Sequence, residues 1–268
     1  MRNVFTILAV AAFASAASAE DTTTAAPTGP VISGAVNLDF AETAGDNYGG
    51  TMGIELDIDA GSLATVDLDF SATDGSALTL DTWTVGTTVA GVGLAFGDDN
   101  NLMPETDANA AADGTLATPA MTESLAVSVA GASVALGLTD WTTDVTDVSN
   151  IQGSYTIDMD RFAITGAMDY NMDSENTVFG GAVSGVDLGI VDAGGMLTYD
   201  TDAELFAYEG TVGTNGLTAY INGNDTNKLQ HVGGEYTMNY AGAELSAGVD
   251  YDTDAKDWTP TAGLSFNF

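Results

Sequence analysis

Val36-Asn37-Leu38-Asp39-Phe40, Ile54-Glu55-Leu56-Asp57-Ile58-Asp59 and Val66-Asp67-Leu68-Asp69-Phe70 each alternate an apolar residue with a polar or acidic one. Successive side chains of a strand point to opposite faces, so each run builds a sheet with one apolar and one acidic face. Two architectures accept that pattern. A soluble sandwich buries the apolar face in its core and leaves the acids outside. A membrane barrel turns the apolar face to lipid and the acids to a lumen.

The N-terminus favours export. Arg2 supplies a positive start, Val4 to Ala14 is an apolar stretch too short to span a bilayer, and Ala17-Ser18-Ala19 is an A-x-A cleavage site. Residues 1–19 read as a secretory signal peptide, cut before Glu20. Residues 20–30 are a polar lead-in rich in Thr, Ala and Pro, and 31–268 form the folded domain. Beyond the signal, only Arg161, Lys228 and Lys256 are basic, and three bases against 39 acids leave a net charge of −36. Such a chain repels nucleic acid and attracts cations. Its 45% hydrophobic content argues against disorder. There is no cysteine, hence no disulfide framework. No segment after the signal holds the roughly 20 consecutive apolar residues of a membrane helix, whereas barrel strands carry a weaker, alternating signal.

Alternation predicts about sixteen strands: 31–40, 50–59, 62–72, 79–89, 92–98, 123–130, 133–140, 150–159, 162–171, 175–184, 191–200, 204–213, 216–223, 230–240, 243–252 and 256–268. Fourteen strands also fit the length. The connections alternate in length. Ala60-Gly61, Ala90-Gly91, Gly131-Ala132, Asp160-Arg161, Thr214-Asn215 and Ala241-Gly242 read as tight hairpin turns. Residues 41–49, 73–78, 98–122, 141–149, 224–229 and 253–255 read as longer loops rich in Asp, Asn, Thr and Gly. Short turns at one end and longer loops at the other suit an outer-membrane barrel, whereas a Greek-key sandwich mixes its loop lengths. Aromatic residues fall near strand ends: Phe40, Phe70, Trp83, Phe96, Tyr170, Tyr199, Tyr251 and Trp258 beside the long loops, Phe162, Tyr240, Phe266 and Phe268 at the other end. Two such belts around an aliphatic band suit two membrane interfaces. The opposite face holds Glu55, Asp57, Asp67, Asp69, Asp158, Asp169, Glu235, Glu244 and Asp250. A dry core does not hold that many carboxylates, so this face is wet.

The longest aperiodic stretch, Asp98 to Thr122, follows the fifth strand, and the chain closes on Ala262-Gly263-Leu264-Ser265-Phe266-Asn267-Phe268. On these features the chain resembles the general bacterial porins, the trimeric sixteen-stranded outer-membrane barrels, and its acidic, Gly-rich, base-poor character looks like the alphaproteobacterial type. The resemblance implies an all-β transmembrane antiparallel barrel, with the long loop after strand 5 folded inward to narrow the pore. It also implies a homotrimer in the outer membrane of a Gram-negative bacterium, in contact with lipid and lipopolysaccharide, and a terminal Phe268 serving as assembly signal. The chain departs from the family in lacking an arginine cluster set against an acidic inner loop.

The candidate pore constriction is Asp98, Asp99, Glu105, Asp107 and Asp113 on the loop, with Glu55, Asp57, Asp67 and Asp69 on the wall. Rings of carboxylates favour cations and repel anions. Clustered oxygens also suit Ca²⁺ or Mg²⁺, with Asp98 and Asp99 as candidate ligands, although no EF-hand spacing exists. Catalysis finds little support. His231 is the only histidine, at a strand start on the polar face, and reads as a lumen or rim residue. Gly180-Gly181 and Gly194-Gly195 lie in sheet segments, without the strand-to-helix setting of a nucleotide loop. The expected function is a water-filled, cation-preferring diffusion channel for small hydrophilic solutes, without enzymatic activity. The alternative is an exported acidic β-sandwich, an adhesin-like surface protein, calcium-stabilised in one version.

Overall fold

A computed structural model describes residues 30–268 apart from 44–46, 62, 74–75, 99, 105–120, 122, 141–143 and 227–228. The expected signal peptide and the lead-in up to residue 29 lie outside the described residues. Sixteen strands form in chain order: β1 (Val31–Thr43), β2 (Asn47–Asp59), β3 (Thr65–Thr73), β4 (Thr79–Val89), β5 (Val92–Gly97), β6 (Glu123–Val129), β7 (Ala132–Asp140) and β8 (Asp144–Met159) come first. Then follow β9 (Phe162–Asn171), β10 (Thr177–Asp187), β11 (Asp192–Asp200), β12 (Leu205–Thr214), β13 (Leu217–Asn224), β14 (His231–Tyr240), β15 (Ala243–Asp252) and β16 (Asp257–Asn267). No helix occurs among the described residues.

Each strand is bonded to its neighbours in sequence, and β1 is bonded to β16, so the sheet is a closed sixteen-stranded barrel rather than a fourteen-stranded one. The seam sets Val36 opposite Phe266 and Leu38 opposite Leu264. Gly34 and Phe268 finish it by exchanging backbone hydrogen bonds of 3.2 and 3.0 Å. A closed sheet has no edge and satisfies its strand backbone internally.

The chain forms two compact units. One holds the residues up to Thr87 with Thr237–Ala247 and Pro260–Phe268; the other holds Thr88–Tyr236 and Gly248–Thr259. In the second unit the usual burial rule is inverted. On β9, Ile164 and Met168 are 38% and 41% exposed, while Asp169 between them and Tyr170 is 1% exposed. Gln152, Thr198, Asn222 and Asp250 are also fully buried, whereas Leu197, Ile221 and Val249, which alternate with them, are exposed. A soluble core places apolar side chains where these polar ones sit. An exposed aromatic row runs across this outward face, with Phe179 opposite Tyr199 and Tyr199 opposite Phe206. The rings of Tyr251 and Trp258 lie 4.6 Å apart at the same strand ends. Tyr155 and Tyr236 are exposed toward the other ends. Phe179, Phe206, Tyr155 and Tyr236 therefore join the belts expected from sequence.

In the first unit, Leu38, Ile54, Leu56, Val66 and Leu68 share the apolar face and are half-buried, while Glu55 and Asp67 on the opposite face are exposed. Val36 is buried on the apolar face, between its cross-strand partners Ile54 and Phe266.

Several boundaries differ from expectation. The stretches 41–49 and 141–149 are mostly strand, because β1, β2 and β8 extend through polar sequence that was expected to be loop. Ladder hydrogen bonds use the backbone, so pairing continues after the apolar alternation has ended. Two turns shift by one residue, to Ala130-Gly131 and Asn215-Gly216. In these and in Ala90-Gly91 and Ala241-Gly242 both residues have positive φ, between 49° and 86°. That pair of angles is the type I′ turn, whose twist matches the flanking strands.

Candidate functional site

The wall carboxylates of the first unit form a compact array. Glu55 and Asp57 on β2 stand directly opposite Asp69 and Asp67 on β3. Thr82 on β4 donates a 2.6 Å hydrogen bond to Asp69 Oδ2. No Lys or Arg occurs in residues 30–87, 237–247 or 260–268, so the described residues of this unit include no basic counterpart. Like charges directly opposite on a sheet repel, and water and mobile cations are what relieve them.

The expected loop residues divide between two fates. Asp98 is half-buried just past the end of β5. Asp99, Glu105, Asp107 and Asp113 lie outside the described residues, so their relation to the wall is not part of the geometry. The described parts of the loop lie on the polar, inner face of the second unit. Asn100 is buried and donates through Nδ2 to the carbonyls of Gly97 and Ser124, both at 3.3 Å, tying the loop's start to the strand that follows it. The Leu102 N–H donates to Gln152 Oε1 at 2.7 Å. Met103 is buried in a cluster with Ala167 and Val178, and Met121 in another with Ala126 and Ala135. The inward course expected for this loop thus holds for residues 100–104 and 121.

Sequence reasoning missed two polar groups on the same unit's inner face. In one, Asn150 Nδ2 donates to both oxygens of Asp169 at 3.2 Å. In the other, Asp250 on β15 accepts from Tyr220 Oη at 2.8 Å and contacts His231 Nδ1 at 2.7 Å. Tyr220 belongs to β13, two strands away. Its ring crosses β14 at Gly233, where a Cβ would coincide with the ring. His231 is therefore anchored at its strand start rather than standing alone. The pairing was hidden because residues 220, 231 and 250 meet only once the register is known. Asn222 opposite His231, and Glu209 opposite Asn222, continue the polar row.

The long-end loops share a device that was legible but unread. Asn171, Asp200 and Asp252 each accept two backbone N–H groups through Oδ1, from the residues two and three positions on. Four positions on, Glu175, Glu204 and Lys256 have φ between 51° and 58°. The repeated Asp-Thr-Asp-Ala at 200 and 252 is its sequence mark.

Among the described residues no group of three or more His, Asp or Glu is placed to hold a metal ion. Of the candidate metal ligands, Asp98 is described and Asp99 is not. No described helix is long and apolar enough to cross a membrane, which says nothing about strands.

No protein-family model and no curated protein matches the chain by sequence. Its fold does match solved structures. A point variant of the porin of Rhodopseudomonas blastica aligns with a TM-score of 0.62 at 15% identity, over 89% of this chain and 100% of that one. An anion-selective porin from Comamonas acidovorans aligns at 0.56 and 11% identity, over 90% and 99%. A loop-deletion variant of OmpT, an outer membrane protein of Vibrio cholerae, aligns at 0.53 and 11% identity, over 89% and 99%. At such identities the likeness establishes the sixteen-stranded barrel fold. One of these barrels is described as anion-selective, so the fold alone does not set the sign of the charge it favours.

Proposed function

We propose that this chain is an outer-membrane porin, a water-filled diffusion channel that passes small hydrophilic solutes and prefers cations. The observation that carries the reading is a closed sheet whose second unit exposes aliphatic and aromatic side chains between buried polar ones, while its first unit exposes Glu55 and Asp67 on the face opposite its apolar residues. Lipid outside and water inside is the pair of solvents that this distribution satisfies. A soluble sandwich would bury the aliphatic face instead, which disfavours the adhesin-like alternative.

The cation preference rests on chain-specific charge. Glu55, Asp57, Asp67 and Asp69 concentrate negative charge on one polar wall without a base among the described residues of their unit. Carboxylates at a lumen raise the local concentration of cations and lower that of anions. Glu105, Asp107 and Asp113 would add to this field from the loop. Residues 1–19 would direct export and be removed. The outward face would meet lipid, lipopolysaccharide and two further copies of the chain in a trimer. Divalent cations would bind loop acids such as Asp98 and Asp99, or be shared between outer-loop acids and lipopolysaccharide. A reaction forms no part of the proposal.

Liposome swelling tests the pore directly. Vesicles carrying the refolded protein should swell in isotonic solutions of small sugars, at rates that fall as the sugar grows. Swelling equal to that of protein-free vesicles would reject the channel.

A further inference from the structure

Several of the inner-face positions beneath the described parts of the long loop carry small side chains. Met121 lies on Ala126 and Ala135, which also meet Ala95 and Leu102. Met103 lies on Ala167. Gly180 on β10 gives the tightest fit. A Cβ added there would stand 2.8 Å from Pro104 Cδ and 2.9 Å from Met103 Cε. Both distances are shorter than real Cβ contacts; the Met103 methyl can swing aside, but Pro104 Cδ is tied to the backbone, so the loop would have to move there. Gln152 adds direction, since its Oε1 accepts the Leu102 N–H from within the wall and is itself fully buried. Ser124 fixes the loop's neck, its hydroxyl donating to Gly97 O at 3.2 Å. Larger side chains would fit these positions if the inner face met only water. Small ones are required where a second layer of chain lies against the wall.

We infer that Gly180 and Gln152 are positioning residues for the loop, and that the depth of this seat sets the free cross-section of the channel. The inference rests on the channel reading above. Interiors are close-packed, so a methyl group added under the loop is not absorbed locally but displaces what lies above it. On the inner face of a closed barrel the displacement has one direction, into the lumen.

Gly181 is a built-in control. It is the next residue on the same strand but faces outward, and a Cβ there meets nothing nearer than 3.9 Å. Single-channel conductance in planar bilayers is the readout, with heat-modifiable gel mobility reporting assembly. Gly180→Val should lower the conductance and the size limit for sugars, while Gly181→Val leaves both at the wild-type value. Should Gly180→Val fail to assemble, Gly180→Ala decides by the same comparison. Met103→Ala combined with Gly180→Ala should recover part of the loss by removing one of the two atoms in the way. Wild-type conductance in an assembled Gly180 variant overturns the seat and leaves the channel intact. An equal loss in the Gly181 variant overturns it too, because the effect is then one of strand glycines in general. Absence of channels in the wild type would instead reject the reading on which the seat depends.

Discussion

Replacing Glu55 with Gln and Asp57 with Asn should make the barrel more stable and less selective at once. The two residues face Asp69 and Asp67 directly across β2 and β3. Carboxylates in such pairs lie about 6 Å apart in water, a repulsion of about 0.7 kcal/mol before screening and about 0.3 kcal/mol at physiological salt. The amides keep the side-chain shapes and remove both opposed pairs, for a gain of about 0.6 kcal/mol at physiological salt, rising toward about 1.4 kcal/mol at low salt. The gain should vanish near 1 M salt, where the screening length falls to about 3 Å. Equilibrium urea unfolding in lipid vesicles measures it as a rise in midpoint at unchanged slope. The same variant, recorded in bilayers under a KCl gradient, should show a reversal potential moved toward zero. A variant less stable than wild type would mean that Glu55 and Asp57 are held by favourable contacts that outweigh the repulsion. An unchanged reversal potential would remove them from the ion path.

Local geometry gives two further outcomes, and the loop charge expected from sequence gives a third. Gly233→Ala should displace the Tyr220 ring and break its bond to Asp250, and Tyr220→Phe should break the same bond without moving the ring. Each should lower the unfolding free energy, by about 1 kcal/mol for the lost hydrogen bond and more for the glycine variant. Ala130→Asn at the first position of the β6–β7 turn, where φ is 49°, should stabilise by roughly 0.5 kcal/mol, since Asn tolerates that conformation better than Ala. Asn215-Gly216 already has the preferred pair, so Asn215→Ala should cost a similar amount in the same assay. Glu105→Gln with Asp107→Asn should weaken cation preference in the bilayer; an unaltered preference would remove both from the constriction.

The alternation of runs such as Glu55-Leu56-Asp57 and Val66-Asp67-Leu68-Asp69 made the sheet legible, and loop lengths made its closure legible. These signals are local, because strand faces repeat every two residues. The long β8 was not legible, since its first turn of ladder passes through Asp144-Val145-Thr146-Asp147, which carries no apolar period. The His231–Asp250–Tyr220 group was not legible because it depends on the register of three strands. The seat under the loop had a faint mark in advance: Ala126, Ala135, Ala167 and Gly180 occupy inner-face positions where Ser, Thr or acids are usual elsewhere in this chain. Small side chains are silent until something is known to lie on them. The acids of 105–113 were legible as charge, whereas their position relative to the wall depends on loop geometry that no local period encodes.

The most direct test of the account is the sign of the zero-current potential when wild-type protein is placed in a planar bilayer between concentrated and dilute KCl. A water-filled barrel lined by Glu55, Asp57, Asp67 and Asp69 should pass K⁺ ahead of Cl⁻ and make the dilute side positive. A dilute side that turns negative, or a membrane that never conducts, would contradict it.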